Sequence, residues 1–201
     1  MTRIAAVDGG TYFHHRTLCE APFKDCFDDI LYVRDVPFTD LSPYDVVVLP
    51  CRLNTHLLAP MADQLTAYMT GGGTLLVMGE VFPERFLKGI TFTPCETNFW
   101  WWVEGLPGPA PRLARPDHPL LGALSEKDCI WHLHGHFAPS DTQDVLIEDD
   151  HGALLIEDTT TYAPGRLIAM TLDPCYHHGS HFMPATTAFL SGFLPALRNI
   201  G

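Results

Sequence analysis

The sequence predicts an open, mostly parallel α/β sheet with helices on both faces and an antiparallel extension in the second half. Three observations carry this. Tyr44 to Pro50 is continuously apolar after its first two residues and rich in valine, the mark of a strand covered on both faces. A helical stretch follows, then a second such strand at Thr74 to Met78, so a βαβ crossover with parallel strands is expected. Beyond residue 125 the strand-like pieces shorten and the helical spacing disappears until the last turns of the chain.

Taken in order, Ile4 to Val7 is a short apolar strand that ends in the turn Asp8-Gly9-Gly10. Leu18, Phe23, Cys26 and Phe27 have roughly helical spacing, which Pro22 must interrupt. Ile30 to Val33 reads as a second strand. Leu57, Leu58, Met61, Leu65, Tyr68 and Met69 share one face of a helix, with Pro60 in its first turn and Gly71 as its C-terminal cap. Residues 90–103 read as strand-rich, and the five prolines of residues 105–119 predict a loop. Cys129 to Phe137, Asp144 to Ile147 and Ala153 to Ile156 are short strand candidates. Arg166 to Leu172 is a late buried strand, and Pro184 to Arg198 a closing helix kinked by Pro195.

At 201 residues the chain is expected to be one domain, spanning 1–201, and 46% hydrophobic residues are enough for a sizeable core. Twelve Lys and Arg against 24 Asp and Glu give a net charge of −12, which repels phosphate backbones and anionic lipid. Nucleic-acid and membrane partners are therefore not expected. No apolar run reaches the length of a transmembrane helix, and the N-terminal residues do not read as a signal peptide. A cytoplasmic location is expected. Cys19, Cys26, Cys51, Cys95, Cys129 and Cys175 form no CxxC pair, so neither a zinc ribbon nor a thioredoxin motif is present. Eleven histidines, several of them clustered, are the unusual feature.

Four stretches carry a family likeness: Tyr44 to Pro50; Gly71-Gly72-Gly73 with Thr74 to Val77; Asp117-His118-Pro119 with Leu120 to Leu124; and Gly165 to Pro174 followed by His177. Together they resemble the class I glutamine-amidotransferase-like superfamily, which has a flavodoxin-like fold. Within it they are most similar to the trehalose-utilisation (ThuA-like) proteins and the related middle domain of some β-galactosidases. His14 falls where such proteins often carry a histidine after the first strand. The resemblance implies that fold and a small polar or carbohydrate-type ligand. Amidotransferases of this fold place a nucleophilic cysteine on a sharp strand-to-helix elbow. Here the corresponding strand runs into Met78-Gly79-Glu80-Val81, without a cysteine, so glutaminase activity is not expected.

In open α/β sheets ligands bind beyond the carboxyl ends of the strands. That rule gathers Asp8 and His14 after the first strand, Cys51 after the third, Glu80 after the fourth, and Asp173, His177 and His178 after the last. Cys51, Glu80 and His177 are the catalytic candidates; Asp8, His14, Asp173 and His178 are the ligand-binding candidates. Cys51 with His177 or His178 would form a Cys/His pair, or Cys51 is a buried structural thiol. Glu80 has a structural alternative, capping a following helix. Cys175 lacks an elbow and ranks below Cys51.

His132, His134 and His136 alternate with other residues, so on a strand they share one face. Positions two apart lie about 6.6 Å from each other, close enough for two ligands of one zinc, whereas the outer pair at about 13 Å is too far on a straight strand. His132 or His134 combined with His177 and Asp173 would make a set for zinc or another divalent metal; hydrogen-bonded polar histidines are the alternative. His177, His178 and His181 read as a loop with Gly179 and Ser180. Phe99 to Trp102 offers faces for stacking on sugar rings, or serves as core or a subunit contact. Low charge and these aromatics predict a homo-oligomer. Three classes stay open: a protein acting on or binding a small polar molecule, a non-catalytic binding or oligomerisation module, and a histidine-rich metal-dependent hydrolase.

Overall fold

Runs of wholly buried apolar residues set the scaffold of the chain, which a computed structural model describes over residues 2–180 and 183–200. β1 (Ile4–Asp8) leads into α1 (Tyr12–Leu18), whose first turn is capped by Thr11, and then into β2 (Asp29–Tyr32). β3 (Val46–Leu49) is followed by α2 (Thr55–Leu58), a 3-10 turn containing Pro60, and α3 (Ala62–Thr70), which stops at Gly71. β4 (Thr74–Val77) closes the βαβ unit. Next come β5 (Phe92–Pro94), α4 (Trp101–Glu104), β6 (Arg112–Leu113), β7 (Gly135–Phe137), β8 (Gln143–Glu148) and β9 (Ala153–Asp158). β10 (Arg166–Met170), α5 (Pro174–Gly179) and α6 (Pro184–Ala196) complete the described elements.

The strands form one sheet in the order β2-β1-β3-β4-β10-β9-β7-β5, with β8 paired to β9 and β6 to β8. β2, β1, β3, β4 and β10 are parallel, and the later strands extend the sheet antiparallel. This is the α/β, flavodoxin-like architecture that the sequence pattern predicts. Alternate residues of the parallel block face opposite layers, as the pleat requires. Ile4, Ala6, Val46, Val48, Leu76 and Ile168 pack with Leu18, Phe189 and Phe193, from α1 and α6. Ala5, Val47, Leu49, Leu75 and Leu167 pack with Leu58, Leu65 and Met69, from α2 and α3. β1, β3, β4 and β10 are thus covered on both sides, whereas the edge strand β2 leaves Ile30 and Tyr32 exposed. Among the described residues no helix is long and apolar enough to cross a membrane.

Four details depart from the sequence expectations. Phe99 to Trp102 is not strand, because Asn98 accepts from the Trp100 N–H and starts a helical turn that Gly105 ends at φ +67°. Nor is it core: Trp100 and Trp102 are 62% and 61% exposed. Within the proline-rich stretch Arg112–Leu113 still finds a partner on β8. Of the segment Cys129 to Phe137 only the last three residues join the ladder, since a Ser125/Asp128 capping box winds Glu126–Cys129 into a 3-10 turn. His177 and His178 lie on α5 rather than in a loop, because Pro174 suits a helix start; His181 lies outside the described residues.

Candidate metal centre

Parallel strands in register bring their carboxyl ends to one edge. Leu49 pairs with Val77, and Val77 with Ala169, so the segments leaving β3, β4 and β10 emerge side by side. They deliver Arg52, Glu80 and Asp173. α5 then carries His177 four residues beyond Asp173, on the same helical face. The extended chain entering β7 supplies His132 and His134 from the other side.

The resulting cluster is tight. One ligand atom each from His132, His134, Asp173 and His177 lies within 4.8 Å of all the others. His132 Nε2 and His177 Nε2 are 3.0 Å apart, and Asp173 Oδ2 lies 3.2 Å from His177 Nε2 and 3.5 Å from His134 Nε2. Ligands held 2.0–2.1 Å from a tetrahedral zinc ion stand about 3.3 Å from one another, and these three separations lie near that value. His132, Asp173 and His177 are buried. His134 Nε2 is a buried nitrogen without a hydrogen bond of good geometry, directed at the centre of the set.

The protonation states also suit a cation. Burial pushes His132 down to about 4, against the pull of Asp173 and with added repulsion from His177 and His134, so its imidazole is neutral near pH 7. Burial alone would raise Asp173, but its contacts with His134 and His177 outweigh that and hold it well below the usual carboxylate range. A neutral His132 imidazole beside an ionised Asp173 carboxylate is what a metal ion requires of those two ligands. Three nitrogens and one oxygen suit zinc or a neighbouring divalent transition metal better than calcium or magnesium.

A second layer surrounds these atoms. Trp131 Nε1 donates to Asp173 Oδ1 at 3.1 Å. Arg52 lies flat over the Tyr176 ring at 3.6 Å, and its Nη2 reaches Glu80 Oε2 at 2.6 Å and Asp173 Oδ2 at 3.2 Å. Glu80 Oε1 is 3.4 Å from His134 Nδ1. The Phe99 ring stands edge-on to His132, with centroids 4.7 Å apart. Beside the cluster opens a cavity of about 890 Å³, bordered by Thr97, Trp101, His132, His136 and Asp149.

The edge therefore unites Glu80, Asp173 and His177 with His132 and His134. His136, third in the alternating series, turns instead to Asp149 Oδ2 at 3.0 Å. Cys51 adjoins the cluster through the backbone, its Sγ accepting from the Tyr176 N–H at 3.1 Å. That thiol is fully buried, and burial followed by its contact with Cys175 raises it far above the ordinary range. Such an environment does not make a thiolate. His14 is buried on the far side of Cys51: its Nδ1 accepts from Gly9 N–H and its Nε2 donates to Cys51 O at 2.8 Å. Asp8 accepts from Gly10 N–H and serves the turn. His178 meets Thr187 and the Phe23 ring, away from the four ligand atoms.

No protein-family model and no curated protein matches the sequence. Solved structures do match. A cytoplasmic protein of Salmonella typhimurium superposes with a TM-score of 0.64 at 14% identity, over 96% of this chain and 98% of that one. A Bacteroides uniformis protein described as ThuA-like gives 0.59 at 14% identity, over 98% and 91%. The chain has the fold of a ThuA-like protein. The same fold makes up about a third of an α-L-fucosidase from Paenibacillus thiaminolyticus, with a TM-score of 0.60 at 12% identity, 100% of this chain and 33% of that one being covered. At these identities the likeness is one of fold.

Arg52, Trp131 and Tyr176 went unnoticed in the sequence. Arg52 had one usable signal: it is the third residue beyond Leu49, the end of the most conspicuous strand in the chain. Trp131 and Tyr176 stand directly beside His132 and His177, but an adjacent aromatic does not reveal which carboxylate or guanidinium it meets.

Proposed function

We propose that this chain holds a divalent transition metal, zinc by preference, on His132, His134, Asp173 and His177, and handles a small polar, carbohydrate-type ligand in the adjoining cavity. The observation that carries the reading is the convergence of four ligand atoms, three from imidazoles and one from a carboxylate, within 4.8 Å of one another. With four protein ligands in place, a bound divalent ion would supply Lewis acidity toward an oxygen of that ligand only by accepting it as a fifth ligand. The protein's own groups do the rest. Trp131 fixes the Asp173 carboxylate, Phe99 screens one side of the imidazoles, and Trp101 with the His136–Asp149 pair offers a ring face and hydrogen-bonding groups to the cavity. The recurrence of this fold in an α-L-fucosidase supports a carbohydrate-type ligand. Buried Cys51, and Glu80 rather than cysteine at the turn after β4, support the absence of glutaminase activity.

The test is metal analysis by emission spectroscopy on protein purified without a histidine tag. Close to one equivalent of zinc or a similar metal, falling sharply in His134→Ala and His177→Ala, is expected. Metal-free protein that also fails to take up added zinc would defeat the reading.

A second reading, an assembly module, is favoured by the exposed cluster of Phe99, Trp100, Trp102, Val103 and Leu106. Large exposed apolar patches often mark interaction sites. Light scattering decides it: a multiple of 22.4 kDa supports a homo-oligomer, and a clean monomer at high concentration removes it.

A further inference from the structure

Three non-glycine residues among those described have a left-handed backbone: Arg52 at φ +64°, Glu80 at +58° and Phe82 at +54°. That conformation is unfavourable for any residue with a Cβ and persists only where the surroundings impose it. Arg52 and Glu80 leave adjacent strands and are ion-paired to each other. The turn that holds Glu80 is pinned by the Gly79 N–H to Leu172 O at 2.8 Å and by the Arg52 N–H to Gly79 O at 3.1 Å. A Cβ on Gly79 would come within 2.3 Å of Thr171 O, so only glycine lets the chain pass so near the end of β10. Immediately after that close pass the backbone turns left-handed, with the Glu80 carboxylate beside His134. Glu80 does not cap a helix: the 3-10 turn that follows starts at Phe82 without a side-chain cap.

We infer that Glu80 is a positioning residue for the metal centre, accepting the Nδ1–H of His134 so that Nε2 faces the ion with its lone pair. The inference rests on the metal reading. Glu80 Oε1 lies 3.4 Å from His134 Nδ1, and His134 Nε2 is the buried nitrogen directed at the ligand set. Arg52, stacked on Tyr176, holds the other oxygen of the same carboxylate and so fixes its angle. A carboxylate behind a metal-bound imidazole selects the tautomer, orients the ring and raises its basicity, and its loss commonly lowers metal affinity 10- to 100-fold. The strained turn thus serves to place one oxygen atom.

The experiment compares wild type, Glu80→Gln and Glu80→Gly by zinc competition against a chromophoric chelator and by the visible spectrum of the cobalt(II) form. Glu80→Gly is the more telling variant, because glycine accepts the left-handed backbone while removing the carboxylate. It is expected to remain folded with an unchanged or higher Tm, to bind zinc roughly 10- to 100-fold more weakly, and to change the cobalt spectrum. Glu80→Gln, a weaker acceptor of similar shape, should fall between the two. Binding within about twofold of wild type together with an unchanged spectrum in Glu80→Gly would overturn the inference and leave the metal reading standing. A wild type that binds neither zinc nor cobalt would overturn both.

Discussion

Trp131 donates its indole N–H to Asp173 Oδ1 at 3.1 Å, and that bond decides which carboxylate oxygen faces the histidines. Asp173 has no exposed surface, so each of its lone pairs needs a partner within the protein. With Oδ1 taken by Trp131, Oδ2 is left for His134, His177 and Arg52. Trp131→Phe keeps the ring packing against Phe189 but removes the donor. A hydrogen bond to a buried charge contributes about 1.5–3 kcal/mol, so urea unfolding of the metal-free variant should show a loss of that order. A change under about 0.5 kcal/mol would show that Asp173 is held by its other contacts alone.

His14 gives a prediction about pH that is independent of the cluster. Burial lowers it from its ordinary 6.5, more than the Cys51 carbonyl and Asp8 raise it. Because the folded value is depressed, the unfolded chain binds the proton first as the pH falls. The neutral ring's stabilising contribution is therefore complete above about pH 6.5 and is lost as the pH falls through the folded pKa, at about 1.4 kcal/mol per pH unit between the two values. His14→Gln does not titrate and should show a shallower fall in stability between pH 7 and pH 5 by chemical denaturation. Parallel curves for the two proteins would contradict this.

Phe99 packs edge-on against His132, with the His134 ring 6.0 Å away, and so stands over the centre. Replacing it with alanine should open a path to the ion while leaving every ligand atom in place. The zinc-loaded Phe99→Ala protein is expected to lose metal to a strong chelator severalfold faster than wild type, with little change in equilibrium affinity. Equal release rates would assign metal exchange to another route.

The parallel block was readable because strands buried on both faces must be continuously apolar, as Val46–Leu49 and Thr74–Val77 are. Once those strands are parallel, their carboxyl ends follow, and with them Glu80, Asp173 and His177. The alternation of His132 and His134 pointed to the metal candidates, although both precede the strand on which that spacing rests, and His136 on β7 pairs with Asp149 in the turn between β8 and β9. Arg52 was hidden for a physical reason: its position over Tyr176 depends on a left-handed turn that no spacing rule encodes. The strand reading of residues 90–103 failed at the aromatic run because an Asn98 hydrogen bond starts a helical turn there, and the exposure of Trp100 and Trp102 removes the core alternative alone.

Glutamine supplies a further check on the turn after β4. With Glu80 in the left-handed position and Cys51 enclosed, incubation with glutamine should release no ammonia above a heat-killed control. Robust release that disappears in Cys51→Ser would contradict this and make Cys51 a nucleophile.

The central claim is that one ion sits among His132, His134, Asp173 and His177. Anomalous diffraction at the zinc absorption edge, from crystals of untagged protein grown with zinc, tests it most directly. A single strong peak about 2.0–2.2 Å from His132 Nε2, His134 Nε2, His177 Nε2 and Asp173 Oδ2 is the expected result. A peak confined to His136 and Asp149, or no peak among the four ligands at saturating zinc, would contradict it.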